Sequence, residues 1–195
     1  MTSNDPTVVP AADKRMPTMR RSRLLLLFAA VAVSSIVIDA VSKIIVVQTV
    51  DPAKPVKLLG GAIYLSLTRN SGAAFSMASD YTWALSLVAI TVVCLIVWYA
   101  FRRLGSVGWA IALGLIAGGA LGNIVDRMFR QPGFLHGHVV DFISLFHPAG
   151  GYWAIFNLAD SSLVVGVALV ILLEVRGRRV DGTRATKAEP KAADE

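Results

Sequence analysis

The sequence predicts an all-α membrane protein: four transmembrane helices with a small β element on the extracytoplasmic surface. Three observations predict it. Four apolar runs each approach the roughly 20 residues that a helix needs to cross a bilayer. The basic residues gather in segments that fall on one side if those runs are spans. Between the first two runs, apolar and polar residues alternate with the period of a strand.

Residues 1–22 are polar with scattered proline and are expected to be a disordered tail. The first span covers about 24–47 and is interrupted by Asp39 and Lys43. Lys14, Arg15, Arg20, Arg21 and Arg23 precede it, as in a secretory signal peptide. The run is long for a signal core and three more spans follow, so we read it as a span. The β element covers about 56–75. In it Ile63, Leu65 and Leu67 alternate with Tyr64, Ser66 and Thr68, and Asn70-Ser71-Gly72 supplies a turn. Such a strand would line a groove and offer backbone groups to an extended peptide; a structural hairpin is the other reading. The remaining spans are expected at about 83–101, 107–125 and 156–175. Residues 177–195 are charged and rich in alanine and read as a second disordered tail. Trp83, Trp98 and Trp153 fall near span ends, where indole anchors a helix at the interface.

Orientation follows from Arg102 and Arg103 between spans two and three, and from Arg176, Arg178, Arg179, Arg184, Lys187 and Lys191 after span four. The positive-inside rule makes that side cytoplasmic and places both termini inside. The segments 51–82 and about 126–155 then face outward.

Composition narrows the chemistry. At 55% hydrophobic and 16% charged, the chain is too apolar for an ordinary soluble domain. Its net charge of +6 sits beside apolar runs, a topology signal, so no nucleic-acid partner is expected. The single cysteine, Cys94, excludes an intrachain disulfide and a cysteine-based zinc site; mid-span, it reads as a packing residue.

Ionisable groups inside a membrane are expensive, and here they gather toward one side. Asp39 and Lys43 are four apart and share a helix face. They are either a self-neutralising pair or a contact for substrate or lipid. Asn123 and Arg127 share the outer end of span three, with Asp126 beside them. Arg127 either snorkels to the interface or clamps a carboxylate or phosphate. The preceding glycines, Gly118, Gly119 and Gly122, suit close helix packing. Asn157 and Asp160 open span four, where an acid also suits a helix N-terminus. Asp141 lies in an apolar stretch expected to run along the interface as an amphipathic segment. Two carboxyl groups brought together cannot both ionise easily. One then takes a proton from water while the other donates to a peptide carbonyl, without metal or thiol.

The blocks that carry these residues resemble the bacterial lipoprotein signal peptidases, the signal peptidase II family. They are Asn70-Ser71-Gly72-Ala73-Ala74-Phe75, residues 118–127 (GGALGNIVDR), Val139-Val140-Asp141-Phe142 and Phe156-Asn157-Leu158-Ala159-Asp160, with Asp39 and Lys43 in span one. The resemblance covers about 24–175. It implies a four-span peptidase domain over 23–176 and an aspartic endopeptidase of the inner membrane, with its active site on the extracytoplasmic side. By position it implies Asp141 and Asp160 as catalytic residues. Asp39, Lys43, Asn70, Asn123, Arg127 and Asn157 become supporting or substrate-binding residues. The implied substrate is a diacylglyceryl prolipoprotein, cut just before the lipidated lipobox cysteine, and the implied inhibitor is globomycin. No cofactor or metal is implied. Membrane lipid is the remaining expected partner, with Arg127 and Lys43 holding anionic headgroups.

Two rivals compete. A metal-dependent hydrolase would use His136, His138 and Asp141, but their spacing matches no standard zinc pattern. A transporter would place its charges near the bilayer midplane, whereas these cluster at one boundary.

Overall fold

The computed structural model describes residues 21–72 and 82–185. Four helices form the bundle: α1 (Arg21–Thr49), α2 (Thr82–Arg103), α3 (Val107–Phe129) and α4 (Leu158–Val175). Three strands cap one end: β1 (Val56–Leu58), β2 (Ile63–Asn70) and β3 (Val139–Leu145). All four helices are long and apolar enough to cross a membrane. Each contains one of the expected spans except at α4, which begins at Leu158 because Asn157 is its N-cap. The expected tail 1–22 and the Ala73-Ala74-Phe75 part of the first block lie outside the described residues, save Arg21 and Ser22, which belong to α1.

α3 is the central helix. Over half of its apolar window is buried (56%), against 17–28% for the other three helices. Small residues let its neighbours approach. A Cβ on Gly114 would stand 2.8 Å from the Phe28 carbonyl oxygen, and one on Gly118 2.6 Å from that of Ala32, both on α1. On another face, a Cβ on Gly119 would stand 2.4 Å from the Ala159 oxygen of α4. The lipid-facing sides remain apolar, with Ile38, Val88, Leu95 and Val164 exposed.

The sheet is antiparallel in the order β1-β2-β3. β3 corrects the expected interfacial amphipathic segment. Val139, Val140, Asp141 and Phe142 are buried one after another, because this run of mostly β-branched and aromatic residues is covered on both faces. Val140 and Phe142 pack on Val46 and Val50 at the end of α1, which seats the sheet on the bundle. β2 lies between the other two strands. Among the described residues, its β1-side edge is therefore unpaired only beyond Leu65.

The reading of residues 177–195 as a disordered tail is corrected over 177–185. Residues 177–185 fold back as a tight turn bridged between Arg178 and Arg184. Val180 buries itself with Leu104, Trp109 and Leu173, and its carbonyl accepts from Gly105 N at 2.9 Å. Trp109 Nε1 donates to the Arg178 carbonyl at 2.8 Å. One apolar residue and an Asp181-Gly182 turn suffice to dock a segment whose composition reads as disordered. Residues 186–195 lie outside the described residues.

Candidate active site

The bundle and the sheet meet at a cleft of about 260 Å³ whose walls include Asn70, Asn123, Arg127, Asp141, Trp153 and Asp160. Asp141 comes from β3 and Asp160 from the first turn of α4. The two carboxyl groups share Asn157. Its Nδ2 donates to Asp141 Oδ1 at 2.6 Å, and its backbone N donates to Asp160 Oδ2 at 3.1 Å. Asn157 Oδ1 in turn accepts from Asp160 N at 3.0 Å, closing a capping box. The helix-start reading of Asp160 and the functional reading are thus compatible. One oxygen caps α4, and the other accepts from Asn123 Nδ2 at 2.7 Å.

Asp141 is 2% exposed, whereas Asp160 is half-buried. Asn70 Nδ2 donates to Asp141 Oδ2 at 3.0 Å, so each Asp141 oxygen has an amide partner. Burial and then the nearby charge of Asp160 push the Asp141 carboxyl from 3.8 up to about 6, against the lowering effect of the bonds from Asn70 and Asn157. A carboxyl tuned toward neutrality beside a second carboxyl suits proton exchange.

Beneath the cleft lies a buried charge network. Lys43 is 1% exposed and reaches Asp39 Oδ2 at 2.7 Å, Asp126 Oδ2 at 2.9 Å and Asn123 Oδ1 at 3.2 Å. The self-neutralising reading of Asp39 and Lys43 is therefore incomplete. A third member, Asp126, belongs to the set and is also paired with Arg130 Nε. The expected contact of Lys43 with lipid headgroups is corrected, because its ammonium is enclosed and its three partners are protein oxygens. Asp39 Oδ1 accepts from Ala159 N at 3.0 Å, and Asp126 Oδ2 accepts from Val140 N at 3.1 Å. One network thus holds the backbone beside Asp160 and the backbone beside Asp141.

Arg127 does not point away to an interface, and among the described residues it is not paired with a carboxylate. Its Nη2 donates to the Gly72 carbonyl at 3.0 Å, and its Nη1 lies 3.5 Å from that of Ser71. Gly72 N donates to Asn70 Oδ1 at 3.0 Å, so the turn after β2 is held from both sides. His136, His138 and Asp141 do not come together as a ligand set, and among the described residues no His, Cys, Asp or Glu cluster is arranged to hold a metal ion. Reading the sequence missed Asp126 as a structural member and Trp153 as a cleft wall. The signal for Asp126 was an acid one turn past Asn123 with no cation assigned to it.

The model of the signal peptidase II family, "Signal peptidase (SPase) II", matches residues 31–176. The chain belongs to the signal peptidase II family. It is 45% identical over 190 residues to the lipoprotein signal peptidase of Mycobacterium avium (strain 104), covering 97% of this chain and 98% of that one. It is 50% identical over 158 residues to the lipoprotein signal peptidase of Mycobacterium tuberculosis (strain ATCC 25618 / H37Rv), covering 81% of this chain and 74% of that one. A bacterial membrane enzyme structure determined by the in meso method at 1.9 Å matches with TM-score 0.68 and 28% identity, covering 83% of this chain and 99% of that chain. Family membership makes the chain a peptidase of the membrane, in accord with its four spans.

Proposed function

We propose that this signal peptidase II is an aspartic endopeptidase that removes the signal peptide from diacylglyceryl-modified prolipoproteins, cutting just before the lipidated cysteine. The observation that carries the catalytic assignment is that Asn157 donates to both carboxyl groups at one cleft, from its side-chain amide to Asp141 and from its backbone N to Asp160.

In this reading the pair holds one proton. Asp141, buried and raised toward neutrality, is the member suited to deliver it. Asp160, more open and accepting from two N–H donors, faces the water as the base. Water attacks the scissile carbonyl carbon as Asp160 takes its proton. Asp141 donates its hydrogen to the carbonyl oxygen, which becomes the hydroxyl of a tetrahedral intermediate. Collapse breaks the C–N bond, and the leaving amine of the lipidated cysteine takes the proton held by Asp160. The hydroxyl proton returns to Asp141. Asn123, Asn157 and Asn70 position the carboxyl groups, and Asp39 and Lys43 hold the framework behind them. Arg127 shapes the turn that borders the cleft.

The sheet end is the extracytoplasmic end and both termini are cytoplasmic. The arginines at the opposite end of the bundle (Arg102, Arg103, Arg176, Arg178 and Arg179) support this orientation. A lipid-anchored precursor then meets the carboxyl pair at membrane-surface depth. Globomycin, a cyclic peptide, is expected to occupy the same cleft and compete with precursor. Residues 1–20 and 186–195 are proposed to flank the peptidase unit without contributing chemistry.

The test is cleavage of a purified diacylated precursor. Asp141→Asn and Asp160→Asn are each expected to fold and insert while lowering the rate by about 10³-fold or more. Near-normal cleavage by either variant rejects the assignment.

A further inference from the structure

We propose that a second cleft, at the sheet end of α3, binds the phosphate of an anionic glycerophospholipid. It encloses about 510 Å³ and is lined by Arg69, Phe129, Arg130, Gln131, Pro132 and His138. Neither Asp141 nor Asp160 lines it. The site rests on α3 crossing the membrane and not on the peptidase reading.

Its charge is not balanced by its neighbours. Arg130 is paired with Asp126, which also meets Lys43, and Lys43 meets Asp39. Two acids and two bases close that account. The Arg69 side chain is exposed and makes no hydrogen bond or ion pair among the described residues. Its guanidinium is a planar fork suited to phosphate oxygens. The Gln131 amide and the His138 ring add polar groups to the same wall.

The walls are assembled by the fold. The chain leaving α3 doubles back, with Gly137 N donating to the Arg127 carbonyl and His138 N to that of Gln131, both at 3.0 Å. A side chain at Gly137 is excluded, since its Cβ would stand 2.4 Å from the Asp126 carbonyl oxygen. Pairing of Arg69 with Val140 in the β2–β3 ladder sets Arg69 beside this turn.

Depth selects a lipid over a soluble phosphate. The cleft begins where the apolar helix α3 ends, and the Phe129 ring, 77% exposed, stands at that level. There an acyl chain passes into its glycerol phosphate, so one ligand can satisfy both the ring and the guanidinium. Arg69 also borders a smaller cleft shared with Asn70 and Asp141, which puts lipid occupancy next to the strand that carries Asn70.

The full chain in phosphatidylcholine nanodiscs would be titrated with phosphatidylglycerol, reading lipid retention by native mass spectrometry and the melting temperature. Wild type should retain phosphatidylglycerol over phosphatidylcholine and melt higher with it. Arg69→Gln should weaken retention about fivefold, the weight of one surface cation against an anionic lipid, and His138→Gln should weaken it less. Arg178→Gln/Arg179→Gln, at the opposite end, should leave this retention unchanged. If Arg69→Gln fails to fold, the His138→Gln titration decides alone. Retention unaffected by the Arg69 and His138 changes overturns the proposal. So does an equal loss in the Arg178/Arg179 variant, which would mark diffuse charge, or full competition by inorganic phosphate, which would mark a soluble anion.

Discussion

At the tail end of the bundle, Leu24, Phe28, Trp109, Leu113 and Leu173 pack around alanines and the returning Val180. At the sheet end, the same helices bury Asp39, Lys43, Asp126 and Asn157. The first region coheres through shape: small residues on α3 admit the backbone of α1, and among the described residues no side-chain charge is enclosed there. The second coheres through named partners. Lipid supplies no hydrogen bonds, so polar atoms at that depth must find them within the protein. Among the described residues only Ser66 Oγ is buried without a partner. The contrast teaches that the polar end is costly by itself and persists because its members are mutually satisfied.

The sharpest way to break that contrast is Lys43→Met. It removes the cation between Asp39 and Asp126 and leaves two buried acids facing each other. A loss of about 3–5 kcal/mol is expected, seen as a lower melting temperature and reduced accumulation in the membrane. A melting profile matching wild type would show that the network is not structural.

A pH series sharpens the same point at one residue. Asp141 is raised from 3.8 to about 6, so the folded protein holds this proton more tightly than the unfolded chain. The associated stability is fully present below 3.8 and is lost as pH rises through about 6. The loss is on the order of 3 kcal/mol. Chemical unfolding across this window should show stability falling with pH in wild type and a flatter profile in Asp141→Asn.

At the apolar end, Gly114→Val pushes a side chain into the Phe28 carbonyl and Val31. Overpacking of about 1–3 kcal/mol should lower the melting temperature while leaving the Km for precursor nearly unchanged. A rise in Km without a change in melting would show that the two ends are coupled. The smallest effect is expected from Trp109→Phe, which deletes the bond to the Arg178 carbonyl. About 1 kcal/mol of stability should be lost, and the cleavage rate should not move.

Much of the fold was legible because the bilayer constrains it locally. Span length and charge placement are properties of contiguous residues, so the helices are readable within a few positions of their ends. β3 was not readable as a strand. Its run is covered on both faces, and this removes the alternation that made β2 recognisable. The docking of 177–185 was equally hidden, since it depends on one valine and on a glycine, Gly105, whose Cβ would stand 2.2 Å from the Asp181 carbonyl oxygen. In the site, residue types and motif order pointed to Asp141 and Asp160, but the alternatives left open for Lys43 and Arg127 did not include the partners the fold gives them, Asp126 for Lys43 and the Gly72 carbonyl for Arg127.

By itself, the sequence determined that this chain crosses the membrane four times and carries the motifs of its family. Hydropathy and short motifs are written in neighbouring residues. Only the tertiary structure decided that Asp39 reaches the backbone at Ala159, that Asp126 completes the Lys43 network, and that Asn157 serves both carboxyl groups. Those contacts join residues from different helices and a strand. Their existence depends on how closely α3 lets its neighbours pack, a property of the assembled bundle that no single segment encodes.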